Sequence, residues 1–314
     1  MDNPRSIASI TGAPDGAPGD DADVALARDV LFPVKRPTGP FAVDAGVTAP
    51  PCDEGDGASQ VRCLLAARYA GDDAARDLAL RLFADTGDVA GVDREQTMDG
   101  GYRGMLHLVP ALPVGAARVH LERVAAALHD YDAFFAALAG RGARPVAYRW
   151  KPLSLRFFRS VKARTPSAYA ERWSVSYNVD GSLNGDADSV RETMFHEVFH
   201  LNDAAHDDWS ARALAADYAA VVSRCQVSVA CLAPYAPSST KVRGGTYYAF
   251  QPGNGVREYA AELALRYYRE QRGALGQGPR VAPFKCARAE NGRTWAALVA
   301  EFFGGIDLVP ACRP

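Results

Sequence analysis

From Thr193 to Asp203 the chain reads TMFHEVFHLND, and this stretch restricts the fold more than any other. Its H-E-x-x-H pattern has chemical meaning on an α-helix. Each residue there turns about 100°, so His196 and His200 lie about 40° apart, one above the other on a single face. Val190, Met194, Val198, Leu201 and Ala205 fall within an arc of about 80° roughly opposite. The pattern predicts a helix over residues 189–205 with a core face and a chemical face. Ser189-Val190-Arg191-Glu192 reads as a capping box that starts it.

Two imidazoles so placed can bind one Zn²⁺, with Glu197 beside them to work on a water molecule. A catalytic zinc takes three protein ligands and keeps a fourth position open. Two candidates compete for the third place. His206 gives the H-E-x-x-H-x-x-G-x-x-H spacing of the metzincins, but Asp203 stands where that pattern needs the helix-breaking Gly. No methionine follows the motif either, so the Met-turn of that family is missing. Glu258 is the stronger candidate. It lies in Val256-Arg257-Glu258-Tyr259-Ala260-Ala261-Glu262-Leu263-Ala264-Leu265, a largely apolar helical stretch with two carboxylates one turn apart. Buried carboxylates are costly unless paired or metal-bound. Glu258 as ligand, with Glu262 accepting a ligand histidine's other N–H, accounts for both.

The other elements follow from period and punctuation. Helical patterns cover residues 59–70, 73–86, 115–139, 208–223, 256–271 and 292–303, and alternating patterns mark strands at Arg144–Trp150, Pro152–Phe158 and Trp173–Val179. Residues 1–58 are expected to form a disordered or extended leader, rich in Gly, Pro and Asp at its start. Residues 59–314 are expected to form one domain, divided into a helical part at 59–110 and a catalytic part at 111–314. Helices, a small mixed sheet and then helices make an α+β fold.

The 314 residues carry a formal charge of −2, with 48% hydrophobic and 23% charged side chains. That composition fits a globular chain without general affinity for nucleic acid or for an anionic membrane surface. Basic side chains do interleave with aromatics from Arg141 to Arg164, and this run is read as the solvated face of a sheet, not as a nucleic-acid site. No apolar run approaches the roughly 20 residues that span a bilayer. The six cysteines suggest three local loops, Cys52–Cys63, Cys225–Cys231 and Cys286–Cys312, and no C-x-x-C is present. Disulfides imply an oxidising, extracellular or periplasmic location. Met1-Asp2-Asn3-Pro4 does not open an export signal, so that expectation rests on the cysteines.

The motif followed downstream by E-x-x-x-E resembles the gluzincin metallopeptidases. The closer likeness is to the catalytic domains of anthrax lethal factor and its relatives, through Asp203 three residues after the second histidine and through Glu258-Tyr259-Ala260-Ala261-Glu262. The resemblance covers residues 189–268. It implies a zincin-like fold, His196, His200 and Glu258 as zinc ligands, Glu197 as general base, and Glu262 and Asp203 as supports behind the ligands. That group also carries a Tyr seven residues before the ligand Glu. Gln251 occupies that position here, so the role falls to Tyr248 or Tyr247. The implied activity is zinc-dependent hydrolysis of a protein or peptide. In peptidases of this motif an edge strand holds the substrate backbone, and Trp173–Val179 is the expected strand. The alternative from a different class is a secreted binding or scaffold module whose zinc is not catalytic.

Overall fold

The structure is a computed structural model that describes residues 23–34, 48–139, 141, 146, 148, 151–242 and 245–313. Three helices come first: α1 (Val24–Leu31), α2 (Gly57–Arg68) and α3 (Asp73–Thr86). Three short strands follow: β1 (Val89–Val92), β2 (Gln96–Asp99) and β3 (Met105–Pro110). After α4 (Arg118–Leu138) come β4 (Ser154–Ser160), β5 (Ala168–Glu171) and β6 (Ser174–Asn178). The rest is helical: α5 (Ala187–Ala205), α6 (Trp209–Ala213), α7 (Ala215–Cys225), α8 (Val229–Leu232), α9 (Gly255–Ala274) and α10 (Ala289–Phe302). The fold class is α+β, with a mixed sheet.

The described residues fall into two compact units. One comprises the described residues of Asp132–Arg149 and Val198–Pro314, the other the described residues from Asp23 to Tyr131 and of Trp150–Glu197. The boundaries between them include points inside α4 and α5. The strand expected at Arg144–Trp150 and most of the expected leader lie outside the described residues.

Within the stretch expected to be disordered or extended, Val24–Leu31 forms α1. Asp23 caps it by accepting from the Leu26 N–H at 2.8 Å. Ala27, Val30 and Leu31 share one face and are buried. This short apolar stripe is hidden in composition, because the segments on both sides are polar and rich in Gly and Pro. Gly91 of β1 meets α1 so closely that an added Cβ lies 2.3 Å from the Val30 carbonyl oxygen.

β4 organises the sheet. It pairs in parallel with β1 and, on its other side, with β6, while β3 joins its last residues antiparallel. β2 extends the sheet beyond β3, and β5 forms the opposite edge, antiparallel to β6. This arrangement corrects the expected substrate-holding edge at Trp173–Val179. β6 is interior and all five of its residues are buried. Its alternating polar residues are bonded inside the protein and do not face water: Asn178 donates to Ser160 Oγ at 3.1 Å and to the Pro166 carbonyl at 2.9 Å. Satisfied polar groups are buried at little cost, so alternation here does not mean half exposure.

The three disulfides pair Cys52–Cys63, Cys225–Cys231 and Cys286–Cys312, the local loops expected from chain order. Among the described residues no helix is long and apolar enough to cross a membrane. The contact of α1 with β1 yields a test. Gly91→Ala should destabilise the protein by about 1–3 kcal/mol through overpacking, read as a lower urea midpoint. An unchanged midpoint would contradict the seating of α1 on β1.

Candidate metal centre

The helix carrying the motif starts two residues earlier than its sequence suggests. Asp186, not Ser189, provides the cap, accepting from the Ser189 N–H at 2.9 Å and from its hydroxyl at 2.8 Å. Ser189 thereby lies inside the helix, three residues after its cap. Val190, Met194, Val198 and Leu201 are buried as their spacing predicts, whereas Ala205 is exposed. Phe195 and Phe199 are buried as well, so every residue from Met194 to Phe199 is enclosed. Tyr131 packs edge-on against Phe195, with ring centroids 5.4 Å apart, and its hydroxyl donates to the Arg191 carbonyl. His196 and Glu197 are consequently buried, and His200 is half-buried.

Glu258 reaches this helix from the first turn of α9. Its Oε1 lies 3.5 Å from His200 Nε2. Ligand atoms of His196, His200 and Glu258 all lie within 4.8 Å of one another, and this group can hold a metal ion. Around a tetrahedral zinc with bonds of about 2.0–2.2 Å, neighbouring donors stand about 3.3–3.6 Å apart. The His200–Glu258 separation matches that edge, and two imidazoles with one carboxylate form a donor set that zinc accepts.

Aromatic packing holds the two helices in place. On the α5 side, Phe302 of α10 packs against Phe199 at 5.0 Å between centroids and against Trp209 at 5.1 Å. On the α9 side, Phe303 stacks on Tyr267 at 3.9 Å, and the Tyr259 hydroxyl lies 3.1 Å from Thr294 Oγ1 of α10. Phe134 of α4 adds an edge-on contact with Tyr268. The end of α10 thus braces both elements that carry the His-His-Glu group. No motif in the sequence marks this role; the helical pattern at 292–303 is its only trace.

The remaining candidates are placed as follows. His206 turns away to α10, where its Nδ1 lies 2.7 Å from Glu301 Oε1 and its ring packs on Phe302. Asp203 is almost wholly buried and accepts from the Ser210 N–H at 2.7 Å and from its hydroxyl at 2.5 Å. Its hydrogen bonds therefore run to the start of α6 and not to a ligand histidine. Glu262 is buried one turn beyond Glu258. Tyr248 opens a 3-10 turn before α9. Its N–H donates to the Thr240 carbonyl at 2.9 Å, and its own carbonyl accepts from Asn254 Nδ2 at 3.0 Å. Tyr247 immediately precedes it, bridged to Lys241. Phe250, at the end of the turn, packs against Tyr259 and Tyr218, fixing the turn to α9 and α7.

The Asp203 contacts separate a structural role from a ligand-supporting one. Asp203→Ala leaves two donors of Ser210 without their acceptor and should cost about 1–3 kcal/mol of stability, while metal content per chain stays unchanged. Loss of metal without loss of stability would show instead that Asp203 acts on a ligand.

Comparisons with models of protein families, with curated proteins and with solved structures find no match to this chain.

Proposed function

We propose that this chain is a zinc-dependent metalloendopeptidase of zincin-like fold, resembling the gluzincins and acting in an extracellular or periplasmic setting. The observation that carries the reading is the approach of Glu258 to His200 and His196, with Glu197 next in sequence to a ligand. A purely structural site with these three ligands has no use for a carboxylate at position 197. The three disulfides support an oxidising compartment.

Held by His196, His200 and Glu258, zinc supplies Lewis acidity, acidifying water and polarising a carbonyl. The chain's own groups do the rest. Glu197 accepts the proton of the attacking water and delivers it to the departing amine nitrogen, so one carboxylate serves as base and then as acid. Its burial excludes bulk water from that transfer. Glu262 orients a ligand imidazole by accepting its second N–H. The hydroxyl of Tyr248, or of Tyr247 beside it, donates to the oxygen that gains negative charge as the carbonyl is attacked.

Glu197→Gln tests the reading. The amide keeps the shape but cannot take a proton, so hydrolysis of an unfolded protein should fall by about 10²–10⁴-fold with zinc content unchanged. Wild-type rates in the variant would exclude Glu197 as the base.

A further inference from the structure

A pocket of about 470 Å³ lies between α4 and the turn that follows β6. Its lining includes His120 and Arg123 of α4, Arg164, and Asp180, Gly181 and Asn184 of the turn, all within one unit. Arg164 closes the basic run that starts at Arg141. Each arginine of the pocket is held by a main-chain oxygen. Arg123 donates to the Asn184 carbonyl at 3.1 Å and Arg164 to the Asp180 carbonyl at 3.2 Å. A carbonyl orients a guanidinium without cancelling its charge. The nearby carboxylates are engaged elsewhere, Asp180 with Arg159 and Asp186 with the N–H and hydroxyl of Ser189.

The field in the pocket is positive. Burial, and after it the charge of Arg123, holds the His120 imidazole below the usual histidine range; Arg159 adds to this and Asp180 opposes it. His120 Nδ1 lies 3.0 Å from the Tyr177 hydroxyl. Burial keeps that phenol protonated, so it can donate to Nδ1 and leave the imidazole's own N–H on Nε2. The turn opposite is closely built. Asn184 is buried, and its Nδ2 donates to the Asn178 carbonyl at 2.8 Å and to the Ser167 carbonyl at 2.9 Å. A Cβ on Gly181 would lie 2.5 Å from that nitrogen, so glycine leaves the amide its place. Asn184 Oδ1, by contrast, is buried with no hydrogen-bond partner. A buried acceptor in that state is costly, and this one belongs to a residue of the pocket wall.

We infer that this pocket binds a small phosphate monoester that bears a hydroxyl, the chemistry of polyol and sugar phosphates. Arg123, Arg164 and His120 donate to the phosphate, and the ligand's hydroxyl donates to Asn184 Oδ1. A phosphate ester presents three strong acceptor oxygens to these three groups, where a carboxylate presents two. The volume lies within the roughly 300–1,000 Å³ of ligand sites and leaves room for the carbon chain beside the phosphate. The site depends on neither the metal centre nor the peptidase reading.

Calorimetry on the purified full chain tests it with three probes: glycerol 3-phosphate, propyl phosphate, which lacks the hydroxyls, and glycerate, which keeps hydroxyls but carries a carboxylate. Glycerol 3-phosphate should bind about tenfold or more tightly than either of the others. Arg123→Ala, and Arg164→Ala at an exposed position, should each weaken it about tenfold or more. Arg288→Ala, at an exposed arginine outside the pocket, should leave it unchanged. Failure of glycerol 3-phosphate to bind in the millimolar range, or equal weakening by all three substitutions, would overturn the site. So would propyl phosphate or glycerate binding as tightly as glycerol 3-phosphate.

Discussion

Bringing two imidazoles and a carboxylate to within 4.8 Å of one another requires rigid supports, because each group loses hydration as it approaches the others. The chain meets that demand with helices and aromatic contacts. One turn of α5 fixes the spacing of the histidines. The position of Glu258 depends on how α9 is held, and α10 sets this. Phe302 packs on Phe199 of α5, while Phe303 stacks on Tyr267 of α9. Aromatic pairs of this kind contribute about 0.5–1.5 kcal/mol each beyond their burial. Their further effect is geometric, since planar rings in tight contact leave little room for one helix to slide past the other.

Polar groups near the site divide the labour. Asp186 starts α5 and Asp203 ties its last turns to α6 through Ser210. His206, which by spacing alone competes as a ligand, is held by Glu301 instead. Carboxylates at both ends of α5 thus serve the fold, while the proposed chemistry falls to Glu197 at its middle and to Glu258 in the first turn of α9. The same economy appears in the loop before α9, where two glycines at positive φ make the turn into the helix and keep one side of it open.

Much of this was legible in the sequence, for identifiable reasons. The central helix and the three candidate ligands follow from a 3.6-residue period and from the cost of burying carboxylates. The three disulfides are the local pairings that the order of cysteines suggests, although order alone leaves 15 pairings open. What escaped is equally physical. β1, β2 and β3 are four to six residues long, too short for alternation to rise above noise, and Gly91 interrupts the first of them. The expected helix at 208–223 is two helices parted at Leu214, with no Gly or Pro to announce the break. β6 was misread because Asn178 and its neighbouring serines find partners inside the sheet. His206 depends on Glu301, far along the chain, and no local pattern encodes such a contact. The bracing by Phe302 and Phe303 escaped for the same reason.

Metal analysis of the purified protein tests the central claim most directly, with wild type compared against His200→Ala and Glu258→Ala. The account predicts about one zinc per folded wild-type chain, held against dialysis, and strong depletion in both variants with their helical content retained. Full zinc content in the Glu258→Ala protein, or none in the wild type after incubation with zinc, would contradict it.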